Sequence, residues 1–331
     1  MLKTTKTSIL FLLTALLALH TTGCGPTKIK FYPDAEDPLI EFALQGDSKE
    51  KIAVIPITGF ISCEPSEEFM HTRPGTVQEF KAQLSLAEKD SRVKAVILKI
   101  NSPGGSATAS DIMYYELMKF KQRTGKKVIA MMMDVAASGG YYVAMPADII
   151  VAHPTTITGS VGVVMLNIHL KGLMDKIGVS MRVSKSGANK DMGSPFRNPS
   201  QREKELIQDL TQQLGDQFLS LVKEHRKPDA KQFEEISSAR IFSAKDAQNN
   251  GLVDQIGYIQ DAIKVAQQLT DMPENPRVIM YRRVFYPNDN LYNNISAQIS
   301  QKPFSLVNVK LPGHLDMLNN GFYYLWTPGL K

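Results

Sequence analysis

Ser138 stands in the segment Asp134–Tyr142 (DVAASGGYY), between a predicted strand and a predicted helix. A serine hydroxyl can attack an amide when it lies on a tight turn, has a base to take its proton, and has donors for the developing oxyanion. The small neighbouring residues would let a substrate backbone approach, and the N–H of Gly139 at the start of the helix could be one donor. A serine before two glycines is also typical of a simple helix cap, so the motif alone leaves both interpretations open.

The base for such a serine could be a histidine or a lysine. His153 and His169 are the histidines nearest in sequence, but His153 precedes a proline and no carboxylate context marks it as the middle of a triad. Lys190 lies in a polar, glycine-bearing segment (184–197), and a lysine acts as a base when burial brings its pKa toward neutrality. The alternative for Lys190 is a solvated surface pair with the aspartate that follows it.

The N-terminus predicts export. Lys3 and Lys6 precede the apolar run Ile9–Leu19, which is about half the ~20 residues needed to span a bilayer and is typical of a signal peptide. The run leads into TTGC, which ends at Cys24 and resembles a bacterial lipobox. An uncut signal anchor is the alternative. We expect an exported chain held by lipid on Cys24, at the outer side of the cytoplasmic membrane or in the outer membrane.

Composition excludes several other classes of protein. The formal charge of +5 on 331 residues is too mild to indicate nucleic acid as a partner. Cys63 is the only cysteine besides Cys24, so we expect no disulfide framework and predict Cys63 to be a buried apolar side chain. No motif indicates a metal or an organic cofactor, and we expect none.

Short apolar runs predict buried strands that alternate with helices. Ile52–Ile57, Val93–Ile100 and Lys127–Asp134 are the clearest of these strands. Such alternation is typical of an α/β fold with parallel strands. The segments NSPGG (101–105) and AASGG (136–140) directly follow strands, which is where the sites of such folds gather.

Further along the chain, the pattern predicts a strand at Val179–Ser186 and a long amphipathic helix over Ser200–Lys227. Its apolar stripe includes Leu210 and Phe218, and such a stripe normally packs in the core or between subunits.

Six segments occur in the order found in signal peptide peptidase A and related Ser-Lys peptidases, and the chain resembles this family from about residue 51 to residue 266. They are NSPGGS (Asn101–Ser106), AASGGYY (Ala136–Tyr142), TITGSVGV (Thr156–Val163), KDMGSPFR (Lys190–Arg197), RIFSAKDA (Arg240–Ala247) and GLVDQIG (Gly251–Gly257). The resemblance implies a Clp protease/crotonase fold, an α/β superhelix of repeated β-β-α units, with a long helical segment after the core.

The resemblance also implies a role for each matching residue. Ser138 would be the nucleophile and Lys190 the general base, with Ser160 holding the lysine amine by a hydrogen bond. Gly105 and the Gly139 amide would stabilise the oxyanion. Short, single-copy members of this family form rings in which neighbouring protomers supply the serine and the lysine of one site, so we expect a homo-oligomer.

We accordingly divide the chain into a lipoprotein signal peptide (1–23), a linker (24–50), a Ser-Lys peptidase domain (51–270) and a C-terminal extension of unknown role (271–331). The expected substrates are apolar peptides such as cleaved signal peptides. A crotonase-like acyl-CoA enzyme is one alternative, but export separates it from cytosolic CoA. The stronger alternative is a non-catalytic lipoprotein scaffold with the same fold.

Overall fold

The computed structural model describes residues 37–68, 71–293 and 321–326. The elements follow in the order β1 (Ile40–Gln45), β2 (Lys51–Thr58), β3 (Ser66–Glu68), β4 (His71–Arg73), α1 (Thr76–Lys89), β5 (Val93–Ser102), β6 (Gly104–Ser106), α2 (Ala107–Thr124), β7 (Lys127–Ala137), α3 (Gly139–Ala144), β8 (Ile149–Ala152), β9 (Ile157–Gly159), β10 (Val164–Leu166), α4 (Lys171–Ile177), α5 (Gln201–Arg226), α6 (Ala230–Ser237), β11 (Ile241–Ser243), α7 (Ala244–Asn249), β12 (Gln255–Ile256), α8 (Ile259–Leu269), β13 (Arg277–Arg282) and β14 (Gly321–Leu325).

The main sheet has the strand order β1-β13-β2-β5-β7-β8-β12, and the end of β7 also pairs with β9, which pairs with β11. Neighbours from β13 to β12 are parallel, as the alternation of strands and helices predicted, while β1 and β11 run antiparallel to their partners. Strand β7 splits its pairing: residues 129–132 face β8 and residues 135–137 face β9. The split opens the sheet immediately before Ser138.

Helices cover both faces of this sheet. Because side chains alternate along a strand, Ala53 and Ile55 of β2 face one layer, while Ile52 and Val54 face the other. The first layer contains α1, α2 and α3, and the second is formed by α8. All four of these strand side chains are fully buried, and each larger one contributes about 1.5–3 kcal/mol of hydrophobic free energy.

A second, smaller sheet lies beside the main one in the order β10-β14-β6. Strand β6 follows β5 after one residue and leads directly into α2, whose first turn is capped by the Ser106 side chain. The main sheet also extends beyond residues 51–270, because β1 lies in the predicted linker and β13 in the predicted C-terminal extension. The main sheet therefore crosses two of the predicted domain boundaries. The boundaries themselves stay a prediction.

Two local expectations were wrong. No strand forms at 179–186, where Val179, Met181 and Val183 are 50%, 56% and 44% exposed, because no strand of the described chain lies beside this segment to pair with it. The stripe of α5 was predicted to pack in the core or between subunits; Phe218 is buried in the core, whereas Leu210 is 41% exposed and its packing stays a prediction. Cys63 is exposed rather than buried. Within the three described stretches, no helix is long and apolar enough to cross a bilayer.

Candidate active site

Ser138 lies between the end of β7 and the start of α3, with φ +51° and ψ −115°. Its N–H donates to the Gly159 carbonyl at 2.7 Å, and its carbonyl accepts from the Tyr142 N–H at 2.8 Å. These bonds hold a conformation that serine rarely adopts. The Oγ atom is buried and makes no hydrogen bond within the described residues. No group of the described chain therefore uses the hydrogen-bonding capacity of this hydroxyl.

Gly105 lies on β6 next to Ile61. The Ile61 N–H donates to the Gly104 carbonyl at 3.0 Å, and its carbonyl accepts from the Ser106 N–H at 2.9 Å. The N–H and the carbonyl of Gly105 therefore point to the opposite side of β6, toward the neighbouring strand β14. A Cβ at Gly105 would collide with the Ile61 backbone, so only glycine fits this position.

Gly104 and Gly139 bring β6 and the start of α3 together. Gly104 has φ +102°, and a Cβ there would lie 2.7 Å from the Gly139 nitrogen. A Cβ at Gly139 would meet the Gly104 Cα at 3.1 Å and the Tyr324 carbonyl oxygen at 3.0 Å. The close approach of these glycines brings the first residue of α3 next to β6 and β14.

An extended segment of the chain itself lies in the groove beside Ser138. Strand β14 pairs antiparallel with β6, with Tyr324 opposite Gly105, and also with β10. The Trp326 N–H donates to the Pro103 carbonyl at 2.9 Å. Since hydrogen-bonded pairs alternate along an antiparallel ladder, Tyr324 and Gly105 form the next such pair. The Tyr324 carbonyl therefore faces the N–H of Gly105, to which the family resemblance gave an oxyanion role.

The side chain of Tyr324 fills an aromatic pocket. It stacks on Tyr142 with ring centroids 4.9 Å apart and an interplanar angle of 19°, and it contacts Phe218 at 4.9 Å. Its hydroxyl donates to the Leu214 carbonyl at 3.2 Å. Burial raises the pKa of Tyr324 to about 12, so the phenol is neutral at physiological pH. This pocket accepts one large, flat side chain from a strand lying in the groove.

Ser160 is held close to the backbone of Ser138. It follows Gly159, whose carbonyl accepts the Ser138 N–H, and its own N–H donates to the Arg240 carbonyl at 2.8 Å. Ser160 also has a positive φ of +52°. The two serines with unusual backbone geometry thus stand on neighbouring ends of β7 and β9.

The structure does not bring Lys190 to Ser138 within one chain. Lys190 lies in a segment (179–199) without helix or strand, and its side chain is exposed. Its backbone N–H donates to the Gly187 carbonyl at 3.1 Å, but no hydrogen bond or ion pair in the described part of the chain involves its amine. The Ser138–Lys190 pairing therefore stays a prediction, and Cys24 lies outside the described residues.

His153 is engaged elsewhere. Its Nδ1 lies 2.8 Å from the Thr155 hydroxyl, and its ring packs edge-on against Tyr258 at 5.0 Å. No hydrogen bond joins it to Ser138 in the described structure. No cluster of histidine, cysteine or acidic side chains there could hold a metal ion.

Two features were missed from the sequence. The aromatic pocket brings together residues from three distant segments, and only Tyr142 lay within a recognised motif. The other missed feature is the network of Asp191, Arg197 and Glu203. What could have indicated it in the sequence is the alternation of positive and negative residues near Lys190.

Comparison with known proteins agrees with this geometry. Residues 120–273 match the family model of Peptidase family S49, and residues 71–156 match that of Clp protease. A protein of Enterococcus faecium that carries the name signal peptide peptidase SppA is 36% identical over 258 residues, which are 77% of this chain and 74% of that protein. Protease 4 of Haemophilus influenzae is 35% identical over 243 residues, covering 73% of this chain and 38% of the relative.

Among solved structures, a membrane-bound stomatin-specific protease aligns over 72% of this chain and 100% of its own, with 19% identity and a TM-score of 0.46. The family matches and the site together define a serine peptidase with the Clp protease fold. Within that class, the chain belongs to peptidase family S49.

Proposed function

We propose that this chain is an exported, lipid-anchored endopeptidase that hydrolyses apolar peptides, such as cleaved signal peptides, with Ser138 as nucleophile and Lys190 as general base. The observation that carries the proposal is the strand β14, which lies along Gly104–Ser106 with a peptide carbonyl facing the Gly105 amide, close to the first residue of α3. A peptide substrate bound in the same way would present its carbonyl carbon to Ser138.

The reaction begins when the Ser138 oxygen attacks the carbonyl carbon and the Lys190 amine takes the hydroxyl proton. The Gly105 N–H, with that of Gly139, stabilises the negative oxygen of the tetrahedral intermediate. Lys190 then donates its proton to the leaving nitrogen as the C–N bond breaks. Water hydrolyses the acyl-enzyme by the same steps and releases Ser138. Ser160 orients the lysine amine by a hydrogen bond.

The groove supports the proposed substrate class. Its backbone pairing with β6 is independent of sequence, while the pocket of Tyr142 and Phe218 favours a large apolar or aromatic side chain next to the cleaved bond. Signal peptides are rich in apolar side chains. A lipid on Cys24 would keep the enzyme at the membrane where those peptides are released. The full chain should incorporate a labelled fatty acid and Cys24→Ser should not; a full chain that incorporates none would contradict this part of the proposal.

A second copy of the chain would complete the site. The segment that carries Lys190, together with α4, exposes a group of large apolar side chains: Ile168, Leu170, Leu173, Ile177, Val179 and Met181. None of the residues of α4 is buried. Such a surface fits an interface between protomers, and contact with a neighbour would bring Lys190 to that neighbour's Ser138.

The test is hydrolysis of an apolar fluorogenic peptide by the detergent-solubilised full chain. Ser138→Ala and Lys190→Ala should each lose at least about 10³-fold in kcat/KM while assembling normally. Lys245→Ala, which removes an exposed lysine on α7, is the matched control and should keep full activity. A Lys190→Ala protein that retains most of its activity would show that the base lies elsewhere.

A further inference from the structure

The segment that carries Lys190 lacks regular secondary structure, yet a charged network fixes it. The Arg197 guanidinium donates to both carboxylate oxygens of Asp191, from Nε at 2.8 Å and from Nη2 at 2.7 Å, and to the Asp191 carbonyl at 3.1 Å. It also donates to both oxygens of Glu203, from Nη1 at 2.8 Å and from Nη2. One guanidinium thus joins the residue next to Lys190 to helix α5 by forked hydrogen bonds.

Glu203 is a firm anchor for this network. Its side chain is 3% exposed and also accepts the Ser200 N–H at 2.6 Å, while its own N–H donates to the Ser200 hydroxyl, which forms a capping box at the start of α5. The hydrogen bonds from Arg197 lower the pKa of Glu203 to about 2, so it stays ionised. In the second half of α5, Phe218 is part of the aromatic pocket and packs edge-on against Tyr142.

The network also balances charge around Lys190. Lys185 donates to the Asp191 carboxylate at 2.7 Å, so two positive and two negative side chains meet here. Asp191 adjoins Lys190 in the chain, with Cα atoms about 3.8 Å apart. An unbalanced carboxylate at that position would favour the ammonium form of Lys190.

Other charged groups near this segment come from α4 and its flanks. The Leu170 N–H, just before α4, donates to the Pro195 carbonyl at 2.7 Å and joins the two segments. The titratable side chains of this element are His169, Lys171, Asp175 and Lys176. Lys171 and Asp175 form an ion pair, so their charges cancel.

We propose that Arg197 is a positioning residue for the catalytic base: by binding Asp191 and Glu203 together it fixes the segment that carries Lys190 and offsets the negative charge of the residue next to Lys190 in the chain. This inference rests on the proposed function, in which Lys190 is the base. A base must be neutral to accept a proton at working pH, so neutralising Asp191 widens the pH range in which Lys190 can act. The anchoring holds the backbone next to Lys190 in one place relative to α5.

The experiment measures kcat/KM against pH for the assembled full chain with the fluorogenic peptide. In Arg197→Gln, Lys185 still pairs with Asp191, but the group of Lys185, Asp191 and Glu203 carries one net negative charge. The acid limb of the profile should therefore move to higher pH by about half to one unit. The loss would then be roughly 3- to 10-fold on the acid limb and smaller at high pH. Asp191→Asn should move the limb in the opposite direction, and the double variant Asp191→Asn/Arg197→Gln should return it toward wild type.

Two further variants separate charge from geometry and from general effects. Arg197→Lys keeps the positive charge, but a lysine amine cannot form the paired hydrogen bonds to two carboxylates. The acid limb of the pH profile should therefore stay in place while kcat falls at every pH. Arg202→Gln removes an exposed arginine one residue before Glu203, with a side chain 68% exposed, and should match wild type in both limb and rate. Light scattering checks that each variant has the mass of the wild-type assembly.

An unmoved acid limb in both Arg197→Gln and Asp191→Asn would overturn the inference, as would an equal loss at all pH values in Arg197→Gln. If Arg197→Gln does not assemble, the pH profiles of Asp191→Asn and of the double variant test the inference instead. The inference fails if Asp191→Asn leaves the acid limb at the wild-type pH. Failure of the proposed function is distinct from these outcomes, because it appears as retained activity in Lys190→Ala.

Discussion

Ser138 combines a strained backbone with a buried hydroxyl that has no partner in the described chain. A serine at φ +51° is less favourable than glycine there, and such strain costs on the order of 1–3 kcal/mol. The hydrogen bonds to Gly159 and from Tyr142 hold it in place. Such strain at Ser138 is expected if this residue is the nucleophile and its position matters more than stability.

The strain can be measured by comparing two inactive variants. Ser138→Gly relieves the positive φ, whereas Ser138→Ala removes the hydroxyl and keeps the strain. We expect the glycine variant to be more stable than the alanine variant by about 1–2 kcal/mol, less the small entropic cost of glycine in the unfolded chain. Thermal unfolding of the two assembled proteins is the measurement. Equal stability, or a more stable alanine variant, would mean that the turn is not strained.

The glycine-rich turns around Ser138 could be predicted from the sequence, because tight turns leave a local signature, while the roles of the site residues stay a prediction. Glycines at 104, 105 and 139 reflect close backbone approaches that any side chain would block. The Arg197 network was not predicted, since alternating charges in a polar segment are also typical of a solvated surface.

At the scale of elements, the groove between β6 and β10 is occupied by β14 of the same chain. Strand β14 uses the backbone groups of β6 that a substrate strand would need, and Tyr324 fills the aromatic pocket. A segment tethered in this way competes with free peptides, because only the fraction of sites without it can bind them.

Removal of β14 should therefore increase activity toward short peptides. A chain ending at Asn320 should show a KM several-fold lower than wild type, because the competing strand is gone. Tyr324→Ala, which removes only the side chain from the pocket of Tyr142 and Phe218, should give a smaller change in the same direction. Steady-state kinetics with one fluorogenic peptide measures both, and an unchanged KM in both proteins would exclude competition in this groove.

The sequence predicted the central strands because each is apolar along its whole length, as strands buried on both faces are. The strand predicted at 179–186 does not form. Alternating apolar residues indicate that one face of a segment is covered, but they do not identify the part of the protein that covers it. The role of β14 could not be predicted, because its five residues gain their structure from pairing with β6 and β10 rather than from a pattern of their own.

On the scale of the whole molecule, one chain does not bring together the two residues that we propose as nucleophile and base. Ser138 lies with Gly105 and Gly139, whereas Lys190 is exposed on a segment with an uncovered apolar surface. The first half of α5 likewise leaves Leu210 41% exposed. These surfaces fit a homo-oligomer in which each active site takes its serine from one protomer and its lysine from the next.

Mixed assemblies test this account most directly. Ser138→Ala and Lys190→Ala chains with different tags are co-expressed, the mixed oligomers are purified, and peptide hydrolysis is measured. Sites shared between neighbours predict recovery of about a quarter of wild-type activity, because a random arrangement puts an intact serine next to an intact lysine in about one site of four. A mixture of Ser138→Ala with the double variant is the control and should stay inactive. Mixed oligomers that contain both chains and remain inactive would contradict a site built from Ser138 and Lys190 of neighbouring protomers.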